Sequence, residues 1–347
     1  MTKLQQTDKA TFWAFDVLKM LLAVIVLLRH VAQSFSEADS LYHTIVVNII
    51  SPIAVPVFFA ISGFLLFYKP VTKERLLHQI KRVLILYIGW TIIYMPLSLW
   101  GILRSEQSAI KEILEYVQNF LFSGSNYHLW FLPSLAFSLF MVAMLDKYLK
   151  PIWQAVVLLI LFVLGAALEN FEPWLPGSLL QIYKMYCAVF LTTRNGLFYG
   201  AIFVWIGKSF AQNHGAGCKT DGKKYGIGLL IAIACMALEG LLVSRSRETM
   251  VVNMLFSQVM VVFALMGWLI PTTAAKQCKY NTAVWRKAST IVFCVHPILI
   301  FGLNVAGKLG IQLSAVTASC IVLVISVLGA MLAVNLSQKL PILRFFL

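Results

Sequence analysis

The stretch FWAFDVLKMLLAVIVLLRHVAQSF, residues 12–35, decides the architecture. It is apolar over a length near the ~20 residues that a helix needs to cross a bilayer. It is not a cleaved leader. The apolar run after Lys3 and Lys9 is too long, contains Asp16 and Lys19, and lacks a small-x-small cleavage site. It reads as a retained first membrane helix. Nine further runs follow, at about 45–68, 82–101, 127–145, 152–168, 196–212, 225–243, 250–270, 288–307 and 311–336. Composition agrees with this reading. Of the 347 residues 60% are hydrophobic and 12% charged, about half the charge of a soluble domain. The mean hydropathy is +0.83, and so much apolar surface must face lipid. The fold class expected is all-α: a polytopic membrane protein of about ten transmembrane helices, one integral-membrane domain over 1–347, with both termini cytoplasmic. No internal repeat is visible, which disfavours the inverted-repeat transporter folds.

The distribution of charge supports both the count and the orientation. The net charge is +14, yet its cations sit in short clusters between apolar runs, so nucleic acid is not an expected partner; the lipid bilayer is. With the N-terminus inside, the inner segments hold Lys3, Lys9, Lys69, Lys73, Arg75, Lys81, Arg82, Lys147, Lys150, Lys208, Lys219, Lys223, Lys224, Lys276, Lys279, Arg286, Lys287, Lys339 and Arg344. The outer loops hold only Arg104, Lys111, Lys184, Arg194, Arg245, Arg247 and Lys308. Losing or gaining one span would scramble this positive-inside pattern. The acids Glu37, Asp39, Glu106, Glu112, Glu115, Glu169, Glu172 and Glu248 all fall outside. Two outer loops, about 102–126 and 169–195, are longer than a connection needs. Each carries an amphipathic stretch, Ile110 to Phe122 and Leu179 to Leu191, the second expected as an interfacial helix. The six cysteines, Cys187, Cys218, Cys235, Cys278, Cys294 and Cys320, show no C-x-x-C and no metal spacing, so neither disulfide nor metal is expected.

Charge inside a membrane helix is costly and therefore points to function. The first run carries Asp16, Lys19, Arg29 and His30. At ~100° per residue Lys19 and His30 lie within about 20° of one face and ~16 Å apart along the axis. Asp16 precedes Lys19 by three residues and can pair with it. One stripe thus joins Asp16, Lys19, Ala23 and His30, while Arg29 points elsewhere. Lys19 either binds a ligand or snorkels to the inner interface; His30 is either a proton-transfer group or a structural hydrogen bonder. No acid lies one turn from His30, so an orienting partner is expected from another helix. In the second run Pro52, Pro56 and Ser62-Gly63 suggest a kinked helix and a close backbone approach, for packing or for a site. Lys81 and Arg82, expected to open the third helix, either set topology or hold phosphates. His128 and Trp130 open the fourth run, Arg194 precedes the sixth, and His296-Pro297 interrupts the ninth. Each has an interfacial or packing explanation beside a site one.

Taken in order, these segments resemble the membrane acyltransferase type 3 family. The resemblance rests on Phe15-Asp16-Val17-Leu18-Lys19 through His30, Val57-Phe58-Phe59-Ala60-Ile61-Ser62-Gly63-Phe64 and Lys81-Arg82-Val83-Leu84-Ile85-Leu86-Tyr87. It continues through His128-Leu129-Trp130-Phe131-Leu132, Phe198-Tyr199-Gly200 and Phe293-Cys294-Val295-His296-Pro297. It covers about residues 12 to 336. In that family an Arg and a His, eleven positions apart on the first helix, are central to catalysis; the His falls on His30, and Lys19 stands where the family has Arg. Tyr127-His128-Leu129-Trp130 and Thr193-Arg194-Asn195-Gly196-Leu197-Phe198 also resemble the membrane half of vancomycin-resistance serine racemases, thought to take up serine. The racemase domain of those proteins is not expected here.

The resemblance implies an O-acyltransferase moving a group other than an amino-acyl group, acetyl first, from cytoplasmic acyl-CoA to a hydroxyl of a cell-surface or envelope glycan. Its setting would be a bacterial cytoplasmic membrane. Acyl-CoA would be a co-substrate, with no permanently bound cofactor. His30 would be the general base. Lys19, Lys81 and Arg82 would hold CoA phosphates, and Asp16, Ser62, His128, Trp130, Arg194 and His296 would line the site. A transporter of a small, serine-like amino acid and a catalytically silent sensor or scaffold are the alternatives.

Overall fold

The computed structural model describes residues 13–37, 40–215, 221–246, 253–274 and 281–346. Phe12, Lys3, Lys9, Asp39, Cys218, Lys219, Arg247, Glu248, the start of the eighth apolar run, Lys276, Cys278 and Lys279 lie outside the described residues. All regular structure among those described is helical. The helices are α1 (Trp13–Phe35), α2 (Leu41–Phe67), α3 (Lys73–Arg104), α4 (Ala109–Phe122), α5 (Phe131–Tyr148) and α6 (Pro151–Asn170). They continue with α7 (Gly177–Phe190), α8 (Ala201–Gly215), α9 (Gly222–Ser246), α10 (Gln258–Ala274), α11 (Ala283–Lys308) and α12 (Ala315–Leu336). Every apolar run contains helix among the described residues. Seven of these, α2, α3, α5, α6, α9, α11 and α12, are long and apolar enough to cross a membrane. The chain is a polytopic all-α membrane protein.

Proline chemistry shapes α2. It runs through a π turn at Thr44–Ile50 and a 3-10 turn at Ser51–Ile53 before regular helix begins at Ala54. Pro52 and Pro56 lack an N–H and so release carbonyls one turn earlier. Polar side chains take the carbonyls of this segment. Ser51 Oγ donates to Val47 O at 2.9 Å, Arg29 Nη1 approaches the same oxygen at 3.5 Å, and Gln258 Nε2 donates to Pro52 O at 2.8 Å. The kink expected from sequence is thus a helix opened and re-satisfied by three other residues. The close approach expected at Ser62-Gly63 is also present. A Cβ on Gly63 would collide with the Val204 carbonyl of α8.

Two expectations need correction. Lys81 and Arg82 do not open the third helix. Thr72 caps α3, accepting from Arg75 N at 3.2 Å, and the polar Lys73–Ile80 segment is already helical. Lys81 and Arg82 therefore stand exposed, two turns inside it. Lys208 does not belong to an inner loop: it lies within α8 and is 1% exposed. Its amine pairs with Asp146 at the end of α5 and donates to Gln154 Oε1 of α6 at 2.6 Å. Gln154 in turn accepts from Trp205 Nε1 at 3.1 Å and donates to Leu149 O at 2.7 Å. A cation can be buried there because acceptors converge on it.

The chain packs as two compact units, residues 1–61 with 213–347, and residues 62–212. In the first, α1 lies against α11 and α12, and α9 against α10 and the π turn of α2. In the second, α3 packs on α5, and both α5 and α6 pack on a π turn at Gly196–Gly200 that leads into α8. The amphipathic stretches of the two long loops are α4 and α7, and they pair with each other. Gln118 Nε2 donates to Ala188 O at 2.6 Å, and the Phe122 and Phe190 rings meet edge to face at 5.1 Å. Ile110, Leu114, Ile182 and Met185 remain exposed, consistent with helices that lie along an interface.

Candidate functional site

The predicted site residues fall into two sets, one in each unit. In the first unit His30 lies half-buried on α1, beside His296 of α11, which is 0% exposed. Their rings stack with centroids 5.3 Å apart and planes 12° from parallel. Hydrogen bonds set both tautomers. His296 Nδ1 lies 3.2 Å from Val292 O, and His30 Nδ1 lies 3.1 Å from Gln33 Oε1. The Val292 carbonyl can only accept, so His296 Nδ1 carries the hydrogen; with the Gln33 amide oxygen facing it, His30 Nδ1 also carries the hydrogen, and Nε2 is the basic nitrogen of the neutral ring. One hydrogen-bond partner of His30 is on its own helix, while the ring stacked on it comes from another helix, α11, as expected of an orienting partner. The hydrogen-bond partner is a neutral amide three residues on, which a search for acids alone overlooks.

Asp16 is buried and tied to α11. Thr282 Oγ1 donates to Asp16 Oδ2 at 2.9 Å, and Arg286 Nη1 lies 3.5 Å from Asp16 Oδ1. Lys19 is half-buried on the same stripe. Thr282 and Arg286 were not legible as site neighbours, because nothing in the spacing places α11 against α1. Arg29 points away from the stripe, as expected. Its guanidinium donates to Ser51 Oγ at 2.8 Å and Asn253 Oδ1 at 3.2 Å.

In the second unit Gly124, at φ +91°, turns the chain into α5 where a Cβ would strike the Trp130 backbone. This turn buries His128, whose Nδ1 lies 3.4 Å from Asn126 Oδ1 and whose ring meets Tyr94 edge to face at 5.1 Å. The Arg194 guanidinium lies over the Trp130 ring, 4.7 Å from its centroid, a cation–π contact. Burial pushes the Arg194 pKa down, and the Glu169 carboxylate opposes that. Glu169 accepts from Thr192 and Thr193 hydroxyls, each at 3.1 Å. Asn195 caps the following π turn, its Oδ1 accepting from Leu197 N at 3.0 Å and Phe198 N at 3.2 Å. The motif Thr193-Arg194-Asn195-Gly196 is thus half structural: Asn195 starts the helix, and Arg194 is displayed on an aromatic face. Ser62, half-buried on α2, and the exposed Lys81 and Arg82 on α3 complete the residues of this unit named from sequence.

The sequence profile described as an acyltransferase domain, type 3, matches residues 12–335, nearly the whole chain. The chain belongs to the type 3 acyltransferase family. The curated relatives of this family member carry other names. An amino-acid racemase of Enterococcus faecalis is 26% identical over 206 residues, 58% of this chain and 28% of the relative. Another amino-acid racemase of that species is 22% identical over 341 residues, 94% of this chain and 46% of the relative. A serine/alanine racemase of Enterococcus gallinarum is 30% identical over 169 residues, 45% of this chain and 23% of the relative. The chain spans less than half the length of these curated relatives. No solved structure matches this type 3 acyltransferase chain significantly.

Proposed function

We propose that the protein is a membrane acyltransferase that moves an acyl group, acetyl first, from cytoplasmic acyl-CoA to a hydroxyl of a cell-surface or envelope glycan. It works as one domain of about ten spans, with both termini cytoplasmic, in a bacterial cytoplasmic membrane. The observation that supports this reading is His30, an imidazole on α1 whose Nδ1 lies 3.1 Å from the Gln33 amide oxygen, an arrangement that suits Nε2 to act as base. In the reaction the acceptor oxygen bonds to the thioester carbonyl carbon while its proton passes to His30 Nε2. The C–S bond then breaks, and the imidazolium returns the proton to the departing thiolate, giving CoA and an ester. Lys19, Lys81 and Arg82 are assigned, by charge, to the CoA phosphates as point or forked donors. His128, Trp130 and Arg194 are assigned to the acceptor, since an aromatic face beside a cation suits a sugar. Asp16, Ser62 and His296 are assigned, from the resemblance, to the lining of the site.

The test is turnover of acetyl-CoA by purified protein, read as free thiol released when a hydroxyl acceptor is present. Thiol release above that of heat-inactivated protein is expected. The racemase names of the relatives favour one competing reading, uptake of a small amino acid. Serine accumulation in proteoliposomes, with no thiol release, would establish it instead. The topology has its own test: with native cysteines removed, a cysteine at Ser105 should react with an impermeant thiol reagent from outside, and one at Thr72 should not. Labelling at Thr72 from outside overturns the ten-span arrangement.

A further inference from the structure

We infer that Gln33 and His296 are positioning residues that hold His30 in the tautomer and ring plane its base role requires; this rests on that proposed role. Three observations converge on one ring. Gln33 Oε1 lies 3.1 Å from His30 Nδ1, one helical turn further along α1. His296 lies against the face of the same ring at 5.3 Å and 12°. His296 is itself locked, with no exposed surface and its Nδ1 3.2 Å from the Val292 carbonyl of its own helix. Phe58 of α2 closes on Phe293, one turn before His296, with ring centroids 6.2 Å apart. The stacking surface is thus built into packed helices, while the ring it supports is half-buried.

The chemistry gives each contact a distinct task. When Nε2 takes the hydroxyl proton, both ring nitrogens carry hydrogen, and Nδ1–H still donates to Gln33. An amide oxygen does not take that proton at working pH, so the proton at Nε2 is the one returned to the thiolate. Loss of the Nδ1 acceptor would let the neutral ring take the other tautomer, with hydrogen on Nε2 and no base facing the hydroxyl. In the Ser–His–Asp triad a wrong tautomer of this kind costs ~10,000-fold in rate. The stacked His296 fixes the ring plane and presents a π face to the imidazolium as it forms. Gln33 therefore governs which nitrogen is basic, and His296 governs where that nitrogen points.

The test uses the full chain in detergent, with kcat and KM for acetyl-CoA and the thermal midpoint measured for four variants. Gln33→Met keeps the side-chain length and removes the acceptor. It should lower kcat about 10- to 100-fold with KM within about two-fold. His296→Leu should lower kcat similarly, and His296→Phe, which keeps a flat ring, should recover most of that loss. In protein labelled with 15N at histidine, the His30 signals should shift from the Nδ1–H pattern towards a tautomer mixture in Gln33→Met. If His296→Leu fails to fold, Gln33→Met and its spectrum decide. With His30→Ala inactive, a Gln33→Met kcat within about two-fold of wild type and an unchanged spectrum overturn this inference alone. A fully active His30→Ala removes the base itself, and the mount described here falls with it.

Discussion

Arg29 and His30 are neighbours in the chain and belong to two different regions of the first unit. On one side of α1, Arg29 meets acceptors fixed in place: the Ser51 hydroxyl, the Asn253 amide and the Val47 carbonyl in the proline-opened part of α2. On the other side, His30 meets the Gln33 amide and the His296 ring. The first region surrounds a permanent charge with acceptors, which offsets the cost of holding a cation away from water. The second sets an amide oxygen against Nδ1 of a titratable ring and a second imidazole against its face. A polar residue on an apolar helix therefore does not by itself mark a site, because the partners it meets differ in kind.

Substitutions can break or sharpen that contrast. The largest effect is expected at His30, where His30→Ala should lower turnover ~100- to 10,000-fold and leave the thermal midpoint near wild type. Next is the buried pair of the second unit, a structural cation like Arg29. Asp146→Leu strands Lys208, which is 1% exposed, so a loss of ~3–5 kcal/mol is expected. Lys208→Met should cost less, because the Asp146 side chain is 34% exposed and can rehydrate. Equal losses in denaturation measurements would contradict this asymmetry. Arg29→Met removes hydrogen bonds to buried acceptors and should cost about 1–3 kcal/mol, with kcat falling only in proportion to the folded fraction. At Lys19 the outcomes split by sign. Lys19→Met should weaken acyl-CoA binding, with Lys19→Arg tolerated, if the charge serves the donor. Unchanged affinity with stability raised by up to ~3 kcal/mol would make Lys19 a snorkelling residue.

Much of the fold was legible because membrane helices announce themselves by length and apolarity. Each of the ten runs contains helix among the described residues, seven of these helices are long and apolar enough to cross a membrane, and the amphipathic segments of both long loops are helical. The prolines at 52 and 56 announced an irregular helix, although its accepting partners, Arg29 and Gln258, lie far away in sequence. Tertiary pairings were not legible. Nothing in the spacing brings His296 to His30 or Arg286 to Asp16, because helix order along the chain does not specify helix neighbours. Lys208 was misplaced because a lysine near the end of an apolar run reads as a loop cation until its partners, Asp146 and Gln154, are seen. Gln33 stands at one-turn spacing from His30, but a neutral amide at that spacing does not stand out in a sequence as an acid would. An amide oxygen facing Nδ1 also accepts its hydrogen.

The most direct measurement is a paired one on α1: acetyl-CoA turnover and thermal midpoint on the same preparations of wild type, His30→Ala and Arg29→Met. The expected result is a crossing pattern. His30→Ala should lose turnover by at least ~100-fold at a wild-type midpoint, and Arg29→Met should lose midpoint while its folded fraction still turns over. Turnover of His30→Ala within a few-fold of wild type would contradict the role assigned to that ring.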